Sequence, residues 1–272
     1  QRGGDAGGAR GDAGGVRGEL GRGWVDAAGP VPRRHAAAPP PIGPDPAVAA
    51  QAVRGAAHAA AIEALAGSVL QGDVPILNSI VHTGREVRWR RDATNQIESP
   101  LRYFRRIPYL DFNAVGEHRL IWELNRHQHL VILAQAYLLT GRAEYVSELT
   151  RQMESWLSDN PFMQGINWTS ALEVAFRALS WLWIWDLWGT LVPENLRSRF
   201  LTGLSRHGLY IEHNLSVYFS PHTHLQGEAV ALHALGRAFP DWLRAEAWHR
   251  TGSALTQEAM NRQVHDDGSQ FE

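Results

Sequence analysis

The chain has 272 residues, a hydrophobic fraction of 44% and a net charge of −2: enough for one large domain or two small ones, and too near neutrality for a dedicated nucleic-acid binder. It contains no cysteine, which excludes a disulfide framework and any thiolate metal site. All 26 basic residues are arginine in an Ala- and Gly-rich background that points to GC-rich coding, and no charge-free run of 18 apolar residues is present to span a membrane.

Residues 1–46 hold 12 of the 26 glycines and 7 of the 14 prolines, with few large apolar groups. Such a stretch cannot bury enough surface to offset chain entropy, so it reads as a disordered tail or linker ahead of a domain at 47–272. The chain opens on Gln1 without an apolar signal core, and so reads as a fragment whose signal peptide would lie upstream.

From Pro46 to Leu70 the sequence is Ala-rich and helix-permissive. Gln71 to Pro108 carries turn residues and no sustained helical period. Arg85, Arg88, Arg90, Arg91, Arg102, Arg105 and Arg106 make it basic, interleaved with Trp89, Tyr103 and Phe104. Guanidinium forks match sulfate and carboxylate groups, so this arm either grips an acidic sugar or packs over a helical body.

From His118 onward the periodicity predicts helices at about 118–140, 142–158, 168–188, 194–216, 224–238 and 241–264, with prolines between them or at their starts. Short connections mean antiparallel hairpins, in a bundle, a solenoid or a closed α/α toroid, and the lack of a strict repeat disfavours the solenoid. In the first helix, Asn125-Arg126-His127-Gln128-His129 are five consecutive polar residues before a run of apolar ones. The expectation is a helix whose first half borders a polar cavity, or else a solvated helix end.

The segment 168–189 holds five of the 11 tryptophans and is apolar almost all round, as a helix buried between others must be. Its polar residues Thr169, Glu173, Arg177 and Ser180 fall on one face. Locally they predict a Glu173–Arg177 i,i+4 ion pair and a capping box from Ser170 to Glu173. A third polar cluster, Ser220-Pro221-His222-Thr223-His224, leads into a helix carrying Glu228. His-x-His followed by an acid suits a metal, but no third ligand is evident, so no metal and no cofactor are assigned. His207, His233 and His249 read as core or surface residues.

Five stretches in collinear order resemble the N-terminal helical domain of the heparinase II/III-type polysaccharide lyases: RIPYLDFN (106–113), IWELNRHQHL (121–130), GINW-x-S-x-LEVA-x-R (165–177), SP-x-THL-x-GEA (220–229) and VHDDGSQFE (264–272). The resemblance covers roughly residues 75–272. It implies an all-α fold, an incomplete α/α toroid of antiparallel helical hairpins, followed in the whole protein by a β-sandwich domain. An anionic polysaccharide would lie between the two, in a periplasmic or secreted setting.

The reaction so implied is β-elimination on a uronic acid. It requires neutralising the substrate carboxylate, a base within reach of the carbon-bound proton and an acid at the leaving oxygen. In the family an Asn and a His at a helix start handle the carboxylate, and a Tyr after a DG-x-x-FE motif serves as base or acid. His224 matches the His. The Asn is absent, leaving His222 or Thr223 for its role, and the Tyr would fall about five residues past Glu272. The resemblance places Asn125, Arg126, Gln128, Asn167, Trp168, Glu173, Arg177 and Glu228 as lining or supporting the substrate cleft, with Trp168 a candidate to stack on a sugar face. The alternatives are an α/α-toroid glycoside hydrolase, using two of Glu173, Glu228 and Asp267, and a carbohydrate-binding helical domain without catalysis.

Overall fold

A computed structural model describes residues 45–77, 79–218 and 220–269. The expected tail at 1–46 falls almost wholly outside the described residues, as does the end of the last motif.

Asp45 caps helix α1 (Pro46–Val53), its carboxylate accepting from Ala47 N and Val48 N with Pro46 in the first turn. Gly55, at φ +81°, turns the chain into α2 (Ala57–Leu70). The arm then forms two antiparallel hairpins, β1 (Asp73–Ile76) with β2 (Ser79–His82) and β3 (Arg91–Asp92) with β4 (Ile97–Glu98).

The body begins with the short helices α3 (Phe112–Val115) and α4 (His118–Leu124). It continues through α5 (Gln128–Thr140), α6 (Ala143–Asp159), α7 (Ala171–Trp188), α8 (Glu194–His213), α9 (Thr223–Ala238) and α10 (Ala245–Gln263). The predicted helix at 118–140 is thus two helices. His127 takes a left-handed conformation (φ 62°, ψ 24°) and breaks the run. The five polar residues are sorted by that break: Asn125, His127 and His129 turn into the core, while Arg126 stays half-buried and Gln128 is exposed.

The helices form two layers. In the first, α2 packs on α5, α5 on α7 and α7 on α9; in the second, α6, α8 and α10 back α5, α7 and α9 in turn. The layering follows from the sequence. α5 and α7 are apolar on most sides and are enclosed, whereas α6 and α8 carry one buried stripe and one wet face. Trp156, Trp181 and Phe200 interlock where the layers meet, with Trp156 and Trp181 edge to face at 5.3 Å and Trp181 stacked on Phe200 at 5.0 Å. α9 and α10 approach most closely. A Cβ on Gly236 would sit 2.3 Å from Ala245 O, and one on Gly252 would sit 2.4 Å from Ala229 O, so only glycine lets these backbones meet.

The arm lies over one end of this body. Trp89 is buried, donates from Nε1 to Ser155 Oγ (3.0 Å), and accepts at its carbonyl from Asn125 Nδ2 (2.8 Å) and Asn167 Nδ2 (3.0 Å). Asp92 fastens the next turn, accepting from Thr94 N, Asn95 and Glu117 N. Burial alone would raise its pKa, but these bonds outweigh it and the carboxyl is held below its ordinary value. Among the described residues, no helix is long and apolar enough to cross a membrane.

Candidate functional site

The N-termini of α5, α7 and α9 gather at the end of the body that the arm covers. Arg126, just before α5, reaches Glu173 in the first turn of α7 with a two-pronged bond, Nε to Oε2 at 2.7 Å and Nη2 to Oε1 at 2.9 Å. Gly227 in α9 abuts Leu172 in α7 so closely that a Cβ would lie 2.7 Å from Leu172 Cδ1. Three connections meet there: 125–127, 160–170 and 214–222. Helix N-termini carry unpaired N–H groups and a partial positive charge, so their convergence favours an anion.

Glu173 is the hinge of this end. Ser170 Oγ accepts from Glu173 N (3.4 Å), which is half of the expected capping box. The carboxylate does not reach back, nor does it pair with Arg177 as the i,i+4 spacing suggested; it is turned outward to Arg126. Arg126 also meets Glu123 (2.6 Å) and lies over the Phe176 ring at 4.5 Å. Two carboxylates on one guanidinium hold its pKa above the ordinary arginine value although burial opposes this.

Arg177 is fully buried instead. It donates to His207 Nε2 (2.8 Å), Asn125 O (3.3 Å) and Asn167 O (2.9 Å), between the faces of Trp156 and Trp168. Burial lowers its pKa to about 9. Asn125 Oδ1 accepts from Trp156 Nε1 (2.8 Å), and Asn167 Nδ2 donates to Asn160 Oδ1 (2.7 Å). Trp168 is wedged against Phe162, His207 and Tyr210. The motif residues Asn125, Asn167, Trp168 and Arg177 are therefore internal: at 2% exposure or less, a sugar cannot touch them. Stacking of Trp168 on a substrate is corrected to a core role, because its ring faces are filled by protein. These four brace the floor beneath the site.

Glu228 is also internal, with Oε2 accepting from Ser216 N (2.7 Å) and Oε1 from Ser216 Oγ (2.6 Å). Burial raises its pKa and the Ser216 bonds pull it down. It anchors the connection after α8 and is not paired with His224. His224, half-buried, shares a bond between Nδ1 and Ser220 Oγ (2.9 Å). His222 and Thr223 are exposed, and no side chain caps the N-terminus of α9. The hydrolase candidates are each engaged apart: Glu173 on Arg126, Glu228 on Ser216, and Asp267 accepting from Ser269 N and Oγ in an exposed turn.

Sequence reasoning passed over a second wall. His118 packs edge-on to Trp122 (4.7 Å) and Tyr109 (5.9 Å), and burial holds its pKa below the ordinary imidazole value. Tyr109 and Trp122 lie within the motifs RIPYLDFN and IWELNRHQHL, where the neighbouring polar residues drew the attention. The arm's one-turn helix, Phe104–Arg106, is tied to the same end by Phe104 N to Met163 O (3.0 Å), Gly165 N to Arg102 O (2.7 Å) and Arg105 Nη2 to Asn214 Oδ1 (3.5 Å).

Residues 42–272 match the family described as Heparinase II/III N-terminus. The heparin-sulfate lyase of Bacteroides stercoris is 29% identical over 181 residues, which cover 58% of this chain and 27% of that protein. The heparin-sulfate lyase of Bacteroides thetaiotaomicron is 26% identical over 152 residues, covering 54% of this chain and 21% of that protein. This chain thus spans about a quarter of the length of these curated relatives. Among solved structures, the heparan sulfate lyase of Pedobacter heparinus shares 20% identity and a TM-score of 0.57, over 84% of this chain and 35% of that one. A heparinase III structure gives 20% and 0.55, over 77% and 31%. The likeness to solved structures concerns the fold, an incomplete α/α toroid. With its matched segment running from residue 42 to the last residue, the chain belongs to the heparinase II/III N-terminus family.

Proposed function

We propose that residues 47–272 form the helical domain of a lyase that cleaves a uronate-containing anionic polysaccharide by β-elimination, in a periplasmic or secreted setting. The observation that carries this reading is the His222-Thr223-His224 cluster, with His222 and Thr223 exposed and His224 half-buried, at a helix N-terminus that no side chain caps. A substrate carboxylate fits that vacant cap: the helix N–H groups and dipole favour its charge, and His222 and Thr223 add polar contacts where the family has an Asn. Ser220 takes up Nδ1 of His224, leaving Nε2 for the substrate. Arg126 and Gln128 supply further polar contacts. Asn125, Asn167, Trp168, Arg177, Glu173 and Glu228 act by holding the helix starts in place.

In the elimination a base takes the proton from the carbon next to the carboxylate and the bond to the leaving glycosidic oxygen breaks. A carbon–carbon double bond forms, and the leaving oxygen is protonated. Neutralising the carboxylate is what makes that proton removable. On this reading the base would be a Tyr following Glu272, and these residues supply the carboxylate-binding part of the chemistry.

The unsaturated product absorbs in the ultraviolet, which gives the test. Heparan sulfate, hyaluronan, chondroitin and alginate are offered to this chain and to the product of a longer reading frame that includes it. Absorbance is expected from the longer protein only. Reducing ends without absorbance would replace elimination by hydrolysis, and turnover by the 272-residue chain would place the base within it.

A further inference from the structure

Two histidines stand at the start of α9, and their bonds leave them chemically unequal. His224 Nδ1 faces Ser220 Oγ at 2.9 Å. A hydroxyl gives or takes a hydrogen bond, so either neutral form of that imidazole fits. His222 has a different neighbour. Gln263, the last residue of α10, brings its amide nitrogen Nε2 to Pro221 O (3.4 Å) and to His222 Nδ1 (3.5 Å). Pro221 O only accepts, so the amide must turn its nitrogen there and not its oxygen. An amide nitrogen only donates, so the ring nitrogen beside it must accept. The proton of the neutral His222 ring is thereby placed on Nε2.

Both contacts are long, and the seating of Gln263 gives them their direction. The residue is 8% exposed, and its Oε1 has no partner among the described residues. Packing alone does not account for an amide at that place, since an apolar side chain of equal bulk would leave no buried oxygen unsatisfied. α10 is pressed against α9 at Gly236 and Gly252, so the platform that carries Gln263 is fixed relative to the helix start it serves. His222 is exposed, and among the described residues no other hydrogen bond reaches its ring. Without Gln263 nothing would hold the imidazole in one orientation.

A carboxylate accepts hydrogen bonds and offers none, so a ring that presented a bare nitrogen to it would set lone pair against lone pair. We infer that Gln263 is a positioning residue that keeps the His222 proton on Nε2 and so makes this imidazole a hydrogen-bond donor to the substrate carboxylate. This rests on the lyase reading above and adds the residue that readies its carboxylate site.

The test uses this chain. Long-range proton–nitrogen NMR at about pH 8, above the ordinary imidazole pKa, shows which nitrogen of His222 carries the proton. The wild type should show a protonated Nε2 and a bare Nδ1. Gln263→Glu, of the same shape but with an acceptor in place of the donor, should put a proton on Nδ1. Gln263→Met, of similar bulk, should leave the ring unheld. Binding is then measured by calorimetry with heparan sulfate and with carboxyl-reduced heparan sulfate. Gln263→Met should weaken binding of the first by roughly fivefold, the order of the cost of immobilising one side chain on binding, and of the second by less than about twofold. Should Gln263→Met fail to fold, Gln263→Glu carries the comparison: it should narrow the wild type's preference for the carboxylated polymer. A wild-type ring with its proton on Nδ1, or a Gln263→Glu ring unchanged from wild type, would overturn the inference. Equal losses for both polymers would overturn it too, leaving Gln263 a brace of the fold. A wild-type chain that binds the two polymers alike would instead overturn the carboxylate reading of the site, whatever the NMR shows.

Discussion

Arg177 is a cation sealed in the interior with no carboxylate on it, and its charge is met by two carbonyls, an imidazole and two indole faces. The imidazoles around it must then stay neutral. Burial, and for His127 and His207 the nearby Arg177 cation, holds both well below the ordinary value; burial takes His129 to about 4. Their tautomers follow from their bonds: His207 Nδ1 donates to Gly203 O, and His127 Nδ1 accepts from Trp181 Nε1. Each group has a folded pKa below its unfolded one. Their contribution is thus complete above about pH 6.5 and is lost as the pH falls toward 4. Urea unfolding between pH 7 and pH 5 should show a loss of about 2 kcal/mol for each such imidazole, blunted by Glu228, whose raised carboxyl works the other way. A flat profile would contradict it. The sequence placed Arg177 and Glu173 on one helix face correctly, but spacing along one helix cannot reveal that Arg126, from the break between α4 and α5, is the better partner for Glu173.

At the scale of elements, the helices from 143 onward were legible because each carries a clear apolar pattern between proline or glycine punctuation. The break at His127 was not, since a single left-handed residue leaves no trace in periodicity when both flanking segments are helical. The two hairpins of the arm were equally hidden: β3 and β4 have two residues each, too few for an alternating pattern. The α9–α10 pair shows what a small residue does inside a helix. Replacing a helix-interior glycine by alanine ordinarily stabilises by about 1 kcal/mol. At Gly252 the added methyl meets Ala229 O at 2.4 Å and His233 N at 2.5 Å, so the two backbones must part. Gly252→Ala should therefore destabilise by roughly 1–3 kcal/mol, the usual range for overpacking. Chemical denaturation decides the sign, and a stabilised variant would mean the hairpin has slack to give.

At the scale of the molecule, the toroidal arc was read from a resemblance carried by motifs, and those motifs prove to serve mainly as internal bracing. Asn125, Asn167, Trp168 and Arg177 are buried beneath the proposed site, whose other residues His222, Thr223 and Gln128 are exposed, with Arg126 and His224 half-buried. Which motif residues face inward could not be seen before the helices were assembled, because the floor is built from two separate connections and a residue of α7. The same floor orders events in time. The carbonyl of Trp89 is held by Asn125 and Asn167, 36 and 78 residues further along the chain, so its berth exists only once the starts of α5 and α7 stand side by side. Closing such distant pairs early is entropically unfavourable. The arm is thus expected to dock late in folding, behind the transition state. Trp89→Phe, which loses the bond to Ser155, should speed unfolding several-fold and leave the refolding rate nearly untouched in stopped-flow experiments. Slowed refolding would put the arm in the nucleus, and its latch would then be the first thing this chain builds.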